Sequence, residues 1–283
     1  MEQTIFSIIS PSGSSPDKTK PAVENLPGTT TTTSNSFGYT CWRKLMEEKA
    51  GARQLILTGL AELLGTGILV FVGCMGCVGS LGITPSIMQI CFAFGFAVMI
   101  AIQCFGHISG AHINPAITIA SLIIGNTSLP RAICYIVAQC IGAPLGYGLL
   151  KLMTPKLLLH SGNPDRANSF CTTDVNSDLT IGQGFLAEVV ATAILALFAC
   201  SVWDRRNQYQ NDSTSIRFAF CVSVLCFVFV PYTGCSLNPA RSLAPALWNG
   251  YWTNHWLFWL GPITGAVLAS IFYRCLFSFP RNL

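Results

Sequence analysis

Charge is what this sequence most lacks. Only 10% of its 283 residues are Asp, Glu, Lys or Arg, while 51% are hydrophobic. A typical soluble domain is about 25% charged. So few charges cannot cover the surface of a soluble globule this large, which excludes most cytosolic enzymes and a chain disordered throughout. The sequence also lacks a dense basic stripe. Its net charge is +4 and its basic residues are scattered, so nothing suggests nucleic acid as a partner. Residues 1–40 contain no apolar core of signal-peptide length. No nucleophile–base arrangement and no metal-ligand set is evident, so neither an enzyme nor a cofactor or metal is expected.

Cysteine is plentiful instead. There are thirteen, an odd number, and most lie inside apolar runs. They do not form the framework of a small secreted domain. They are expected to pack as small apolar residues. Cys74 and Cys77 have the spacing of a redox or zinc pair, but no second pair accompanies them. Free thiols on a helix face are the expectation.

Residues 1–52 read as a disordered cytosolic tail, a possible phosphorylation target rich in Ser, Thr, Pro and Asn, ending in a short interfacial helix over 41–53. Six long apolar segments follow, near 55–78, 87–106, 130–153, 183–203, 216–232 and 255–277. Each is long enough to cross a hydrocarbon core of about 30 Å. Two shorter ones, near 113–124 and 237–248, each contain a proline near the start, at Pro115 and Pro239, and read as re-entrant. With both termini in the cytosol, the outer side holds only Lys151, Lys156 and Arg166, and almost every other basic residue lies inside. On that topology the sequons at Asn126 and Asn211 face the cytosol and are expected to stay unmodified.

The chain repeats itself. Ala61-Glu62 is echoed by Ala187-Glu188, Ser109 to Ala116 by Thr233 to Ala240, and Gly142-Ala143 by Gly265-Ala266. The offsets of 126, 124 and 123 hold one register. Three spans per half force the second half to insert upside down. The expected fold is therefore an all-α membrane protein, with six transmembrane helices, two re-entrant half-helices and an inverted-topology repeat. The channel domain is placed at 53–279, with repeats at 53–153 and 182–279, and a cytosolic end at 280–283. Gly67, Gly95, Gly142, Ala143, Gly146, Gly265 and Ala266 suit close helix approach.

Each half carries one Asn-Pro-Ala, formed by Asn114, Pro115 and Ala116 and by Asn238, Pro239 and Ala240. Asn is a good N-cap and Pro suits the first helical turn, so each motif reads as a half-helix start. Inverted symmetry aims the two N-termini at each other, each with roughly half a positive charge. The Asn amide NH2 groups are expected to remain free to donate into the space between. Irregular backbone before each motif can expose carbonyls to a water-filled path. Such a path passes small polar molecules and repels cations. One such motif is weak; two in matching context are strong.

These features resemble the aquaporin (major intrinsic protein) family over roughly residues 55–277. The resemblance rests on GHISGAHINPAITIA, YTGCSLNPARSLAPAL and HWLFWLGPITG, with Glu62 and Glu188. It implies a passive channel, a homotetramer with one pore per subunit, no cofactor and no energy coupling. It implies that Glu62 and Glu188 position the re-entrant loops, and that carbonyls of Gly110, Ala111, His112, Gly234, Cys235 and Ser236 line the pore. It places Arg241 in an outer selectivity filter with Phe94, Cys226 and Cys235. The alternative for Arg241 is a structural ion pair, since an intramembrane Arg needs a partner.

Cys226 departs from the family's water-selective pattern, which has His there. Cysteine is smaller and a weak hydrogen-bonding partner, so a wider, more apolar filter is expected. Ser242, Ala246, Phe258 and Trp259 keep the water-channel pattern. The combination resembles the insect entomoglyceroporins and implies passage of water and glycerol, with urea open. A mainly water-selective channel is the alternative. Remoter rivals are an ion-coupled transporter using Glu62 and Glu188, and a junction protein on this scaffold. A metal site at His107 and His112 lacks a third ligand. The plasma membrane is the expected location.

Overall fold

A computed structural model describes residues 46–47, 51–78, 83–159 and 169–277. The expected tail, most of the interfacial helix and the residues from 278 onward lie outside the described residues. Eight principal helices run in order as α1 (Ala52–Met75), α2 (Ile87–Ser109), α3 (Pro115–Ile124), α4 (Leu129–Met153), α5 (Ile181–Val202), α6 (Thr214–Thr233), α7 (Pro239–Asn249) and α8 (Leu257–Leu276). No β-strand occurs among the described residues. Each expected apolar segment is a helix, with ends within three residues of the sequence reading. Six helices are long and apolar enough to span a bilayer.

The helix starts follow ordinary capping rules. Ser86 accepts from Gln89 N at 3.1 Å, and Ser128 caps α4 with Pro130 in its first turn. Thr180 and Gln183 form a reciprocal capping box at the start of α5. A 3₁₀ segment, Arg205–Ser213, leads from α5 into α6. There Arg206 binds Asp204 and donates to the Phe277 carbonyl at 2.8 Å, tying this connector to the end of α8. The hydrogen bonds from Arg206 hold the Asp204 carboxyl well below the usual range.

The two halves pack alike. α1 lies on α4 and α5 on α8, while α2 lies on α6. Each half-helix also crosses to the other half: α3 packs on α8, and α7 on α4. The tightest approaches need bare backbone. A Cβ on Gly142 would stand 2.0 Å from the Leu63 carbonyl, and one on Gly265 would stand 2.2 Å from the Val189 carbonyl. Leu63 and Val189 are themselves repeat equivalents at the 126-residue offset. The outer surface is apolar, with Leu145, Leu186, Val224 and Leu268 exposed. A bilayer rather than water covers such a surface at low cost.

One expectation about cysteine is overturned. Cys74 is not a free thiol; it is disulfide-bonded to Cys171, 97 residues away. The end of α1 and the segment before α5 meet there, a proximity that local spacing does not encode. Cys77 remains free.

Gly142→Leu is expected to prevent a folded, monodisperse protein or to lower its thermal midpoint sharply. Overpacking costs about 1–3 kcal/mol even where neighbours can shift, and here the neighbour is backbone. Gly182→Ala, with nothing within 4 Å of the added carbon, should leave the midpoint unchanged. Fluorescence-detected size exclusion after heating reads both.

Candidate pore

Two buried carboxylates organise the centre. Glu62 accepts from Ser109 Oγ at 2.6 Å, His112 N at 2.9 Å, Ile113 N at 2.7 Å and Gln139 Nε2 at 2.7 Å. Glu188 accepts from Thr233 Oγ1 at 2.5 Å, Ser236 N at 2.8 Å and Leu237 N at 3.0 Å. Both side chains are fully buried. Every partner is a donor, so the oxygens serve as acceptors throughout. Gln139 has no counterpart in the second half, where the 123-residue offset leads to Pro262.

The two loops have unusual backbone. Ala111, Ile113, Cys235 and Leu237 all have φ between +45° and +55°. A non-glycine residue there costs on the order of 1–3 kcal/mol and persists only where its surroundings hold it. The carboxylates do so by gripping the N–H groups. A trans peptide points its N–H and C=O in opposite directions. With the N–H groups of His112 and Ile113 on Glu62, the carbonyls of Ala111 and His112 face away from it. The same holds for Cys235 and Ser236 opposite Glu188. Ala111 N on Ser109 Oγ and Cys235 N on Thr233 Oγ1 turn the Gly110 and Gly234 carbonyls likewise.

Both Asn-Pro-Ala motifs start helices as expected. Asn114 Oδ1 accepts from Ala116 N at 2.9 Å, and Asn238 Oδ1 from Ala240 N at 3.0 Å. The NH2 groups are not wholly free, however. Asn114 Nδ2 donates to the Leu237 carbonyl and Asn238 Nδ2 to the Ile113 carbonyl, each at 2.8 Å. One hydrogen of each amide therefore stitches the loops together, because the buried carbonyls need donors. One hydrogen of each remains.

A cavity of about 770 Å³ reaches both asparagines. Gln103, His107, Asp212 and Ser215 line one end; Phe94, Cys226, Cys235 and Arg241 line the other. Phe94 and His107 are about 20 Å apart along α2 at 1.5 Å per residue. Gly110, Ala111, His112 and Ser236 also line it, while Gly234 does not. His112 is buried and packs between Tyr135 and Trp203, with Nδ1 3.3 Å from Thr118 Oγ1. Among the described residues no three potential metal ligands cluster.

Arg241 is 5% exposed, and its guanidinium carbon lies 4.7 Å from the Phe94 ring centroid. No carboxylate among the described residues is in ion-pair range of it. Its partner is the Cys171 carbonyl, which accepts from Nη1 at 2.7 Å. Cys171 is the site residue that sequence reasoning missed. Ser242 Oγ takes Thr173 Oγ1 at 2.9 Å and Ser236 Oγ at 2.7 Å, so it braces the same loop. Gln139 and the hydroxyls of Ser109 and Thr233 were also not singled out, although the last two are equivalent in the repeat.

Six apolar spans, two facing half-helices and a lined central cavity define a helical membrane channel. The profile of the major intrinsic protein family matches residues 50–273. The chain is 37% identical to aquaporin-4 of Mus musculus over 229 residues, 81% of this chain and 67% of that protein. It is 39% identical to aquaporin-2 of Ovis aries over 215 residues, 76% of each. The X-ray structure of the aquaglyceroporin from Plasmodium falciparum superposes with a TM-score of 0.70 at 24% identity, covering 78% of this chain and 96% of that one. The chain belongs to the major intrinsic protein family. It is an integral membrane protein of a family of water and small-solute channels, not an enzyme.

Glu188→Ala would leave two buried N–H donors without partners, at about 1–3 kcal/mol each. The Ser236 and Leu237 amides should then exchange hydrogen at least about 100-fold faster by mass spectrometry. Unchanged protection would show that Glu188 does not hold the loop.

Proposed function

We propose that this chain is a passive channel for water and small uncharged solutes such as glycerol, and that it excludes protons and ions. The observation that carries this reading is the composition of the cavity's Arg241 end. Arg241 and Phe94 lie together there, and two thiols, Cys226 and Cys235, line the same cavity. Arg241 and the turned carbonyls offer hydrogen bonds to hydroxyls, and Phe94 and Cys226 offer an apolar wall to carbon. Cysteine at 226 takes less room than the histidine of the water-selective pattern.

Ion exclusion follows from the centre and the filter. The α3 and α7 N-termini meet there, each with roughly half a positive charge. Asn114 and Asn238 retain one N–H apiece to orient a passing oxygen. Arg241 adds a full positive charge, and such half-helix ends and an Arg are the barriers used by aquaporin-type pores generally. Glu62 and Glu188 position the loops; with all their partners being donors, neither is offered to a coupled ion. In this reading the carbonyls of Gly110, Ala111, His112, Cys235 and Ser236, all residues that line the cavity, form the acceptor ladder, and Gly234 stands outside it.

A mainly water-selective channel is the second reading. It is favoured by Ser242, whose hydroxyl is occupied in bracing Ser236 and Thr173, as in a water-type scaffold. The apolar outer faces of the helices suit a homotetramer with a pore in each subunit. Arg53, Arg131, Arg206 and Arg274 lie at helix ends that share one side, which suits cytosolic termini in the plasma membrane.

The test is paired water and glycerol uptake in oocytes, wild type against Cys226→His. Wild type should take up both, and the variant should keep water permeability while losing most glycerol uptake. Wild-type swelling without glycerol uptake would select the water-only reading. Mercuric chloride should block wild type, and Cys226→Ser with Cys235→Ser should abolish that block. Block that survives the double substitution would remove both thiols from the lumen.

A further inference from the structure

Cys171 combines three features that the channel reading leaves unused. Its sulfur is bonded to Cys74 at the end of α1. Its carbonyl accepts the 2.7 Å hydrogen bond from Arg241 Nη1. Its φ is +57°, a left-handed conformation that a cysteine keeps only under restraint. Neighbouring contacts complete the restraint on one side: Tyr147 Oη donates to the Phe170 carbonyl at 2.8 Å, and Asn249 Nδ2 donates to the same carbonyl at 3.1 Å. On the α1 side the covalent bond is the main anchor. Cys74 is fully buried near the end of α1, whereas Cys171 lies in a loop and is partly exposed.

We infer that the Cys74–Cys171 disulfide is a positioning element of the solute filter, which it serves by holding the Cys171 carbonyl on Arg241. The inference rests on the channel reading. Arg241 has no carboxylate partner among the described residues, so this carbonyl, the Cys171 sulfur 3.9 Å from Nη2 and the Phe94 face are what fix its guanidinium against the wall. Freed of the tether, residue 171 relaxes toward negative φ and its carbonyl turns away. A buried guanidinium that loses its acceptor seeks water. The open space beside it is the cavity it already lines, so Arg241 swings inward and narrows the passage. A solute with a carbon backbone is affected more than water. Cys77 adds a complication and a control, since its Sγ is 3.9 Å from Cys171 Sγ.

The experiment uses full-length protein in proteoliposomes, with tris(2-carboxyethyl)phosphine on both sides. The phosphine and one water reduce the disulfide to two thiols and leave as phosphine oxide. Peptide mapping under non-reducing conditions checks the pairing before and after. Reduction should lower glycerol permeability by about 10-fold or more, the equivalent of one lost hydrogen bond to a charged group, and water permeability by less. Cys74→Ser should show the reduced behaviour without reductant, and Cys77→Ser should behave as wild type. In Arg241→Ala the reductant should change nothing, a coupling that a merely stabilising disulfide would not show. A folded wild type whose permeabilities are the same oxidised and reduced overturns the tether and leaves the channel reading standing. A map showing Cys77 paired with Cys171 also overturns it. Water flux without glycerol flux overturns the glycerol reading alone, and the tether must then appear as a fall in water permeability. Protein that conducts neither overturns both.

Discussion

Two carboxylates buried among donors are the constraint on which the rest depends. A carboxylate at membrane depth is costly unless its oxygens are satisfied. Glu62 and Glu188 are satisfied by backbone N–H groups of the re-entrant loops. That single exchange settles two problems at once. The loops lose their unsatisfied donors, and the left-handed residues within them are held against their preference. Because peptides are planar and trans, gripping the N–H groups also decides where the carbonyls point.

From that grip the centre assembles. The half-helices begin where the loops end, capped by Asn114 and Asn238, and the two amides bond across to Leu237 and Ile113 carbonyls. The crossed bonds couple the halves, as does the packing of α3 on α8 and α7 on α4. The repeats are therefore interlocked rather than merely adjacent. Close backbone contact at Gly142 and Gly265 lets the surrounding helices come near enough for this to happen. Symmetry is broken only where chemistry differs: Gln139 assists Glu62 without an equivalent, and Arg241 stands after one motif and Ile117 after the other.

Much of this was legible in one dimension. Apolar runs of spanning length reveal helices because a bilayer leaves the backbone no other partner than itself. The 126, 124 and 123 offsets reveal the inverted pairing because an odd number of spans reverses direction. Asn before Pro reveals a helix start because capping is local. Glu62 and Glu188 could be marked as needing partners, since charge in an apolar run always does.

The one-dimensional pattern therefore specifies the spans, the half-helix starts and the residue types available to a pore. Which residues meet depends on the folded path. Cys74 and Cys171 are 97 residues apart, and neither flanking segment signals the other. The partner of Arg241 is a carbonyl, which every residue owns, so no side-chain pattern could have named Cys171. The asparagine amides looked free for the same reason: their acceptors are backbone groups 123 and 125 residues away. Local rules read caps, periods and lengths, whereas long-range bonds to the backbone depend on the folded path that brings it near.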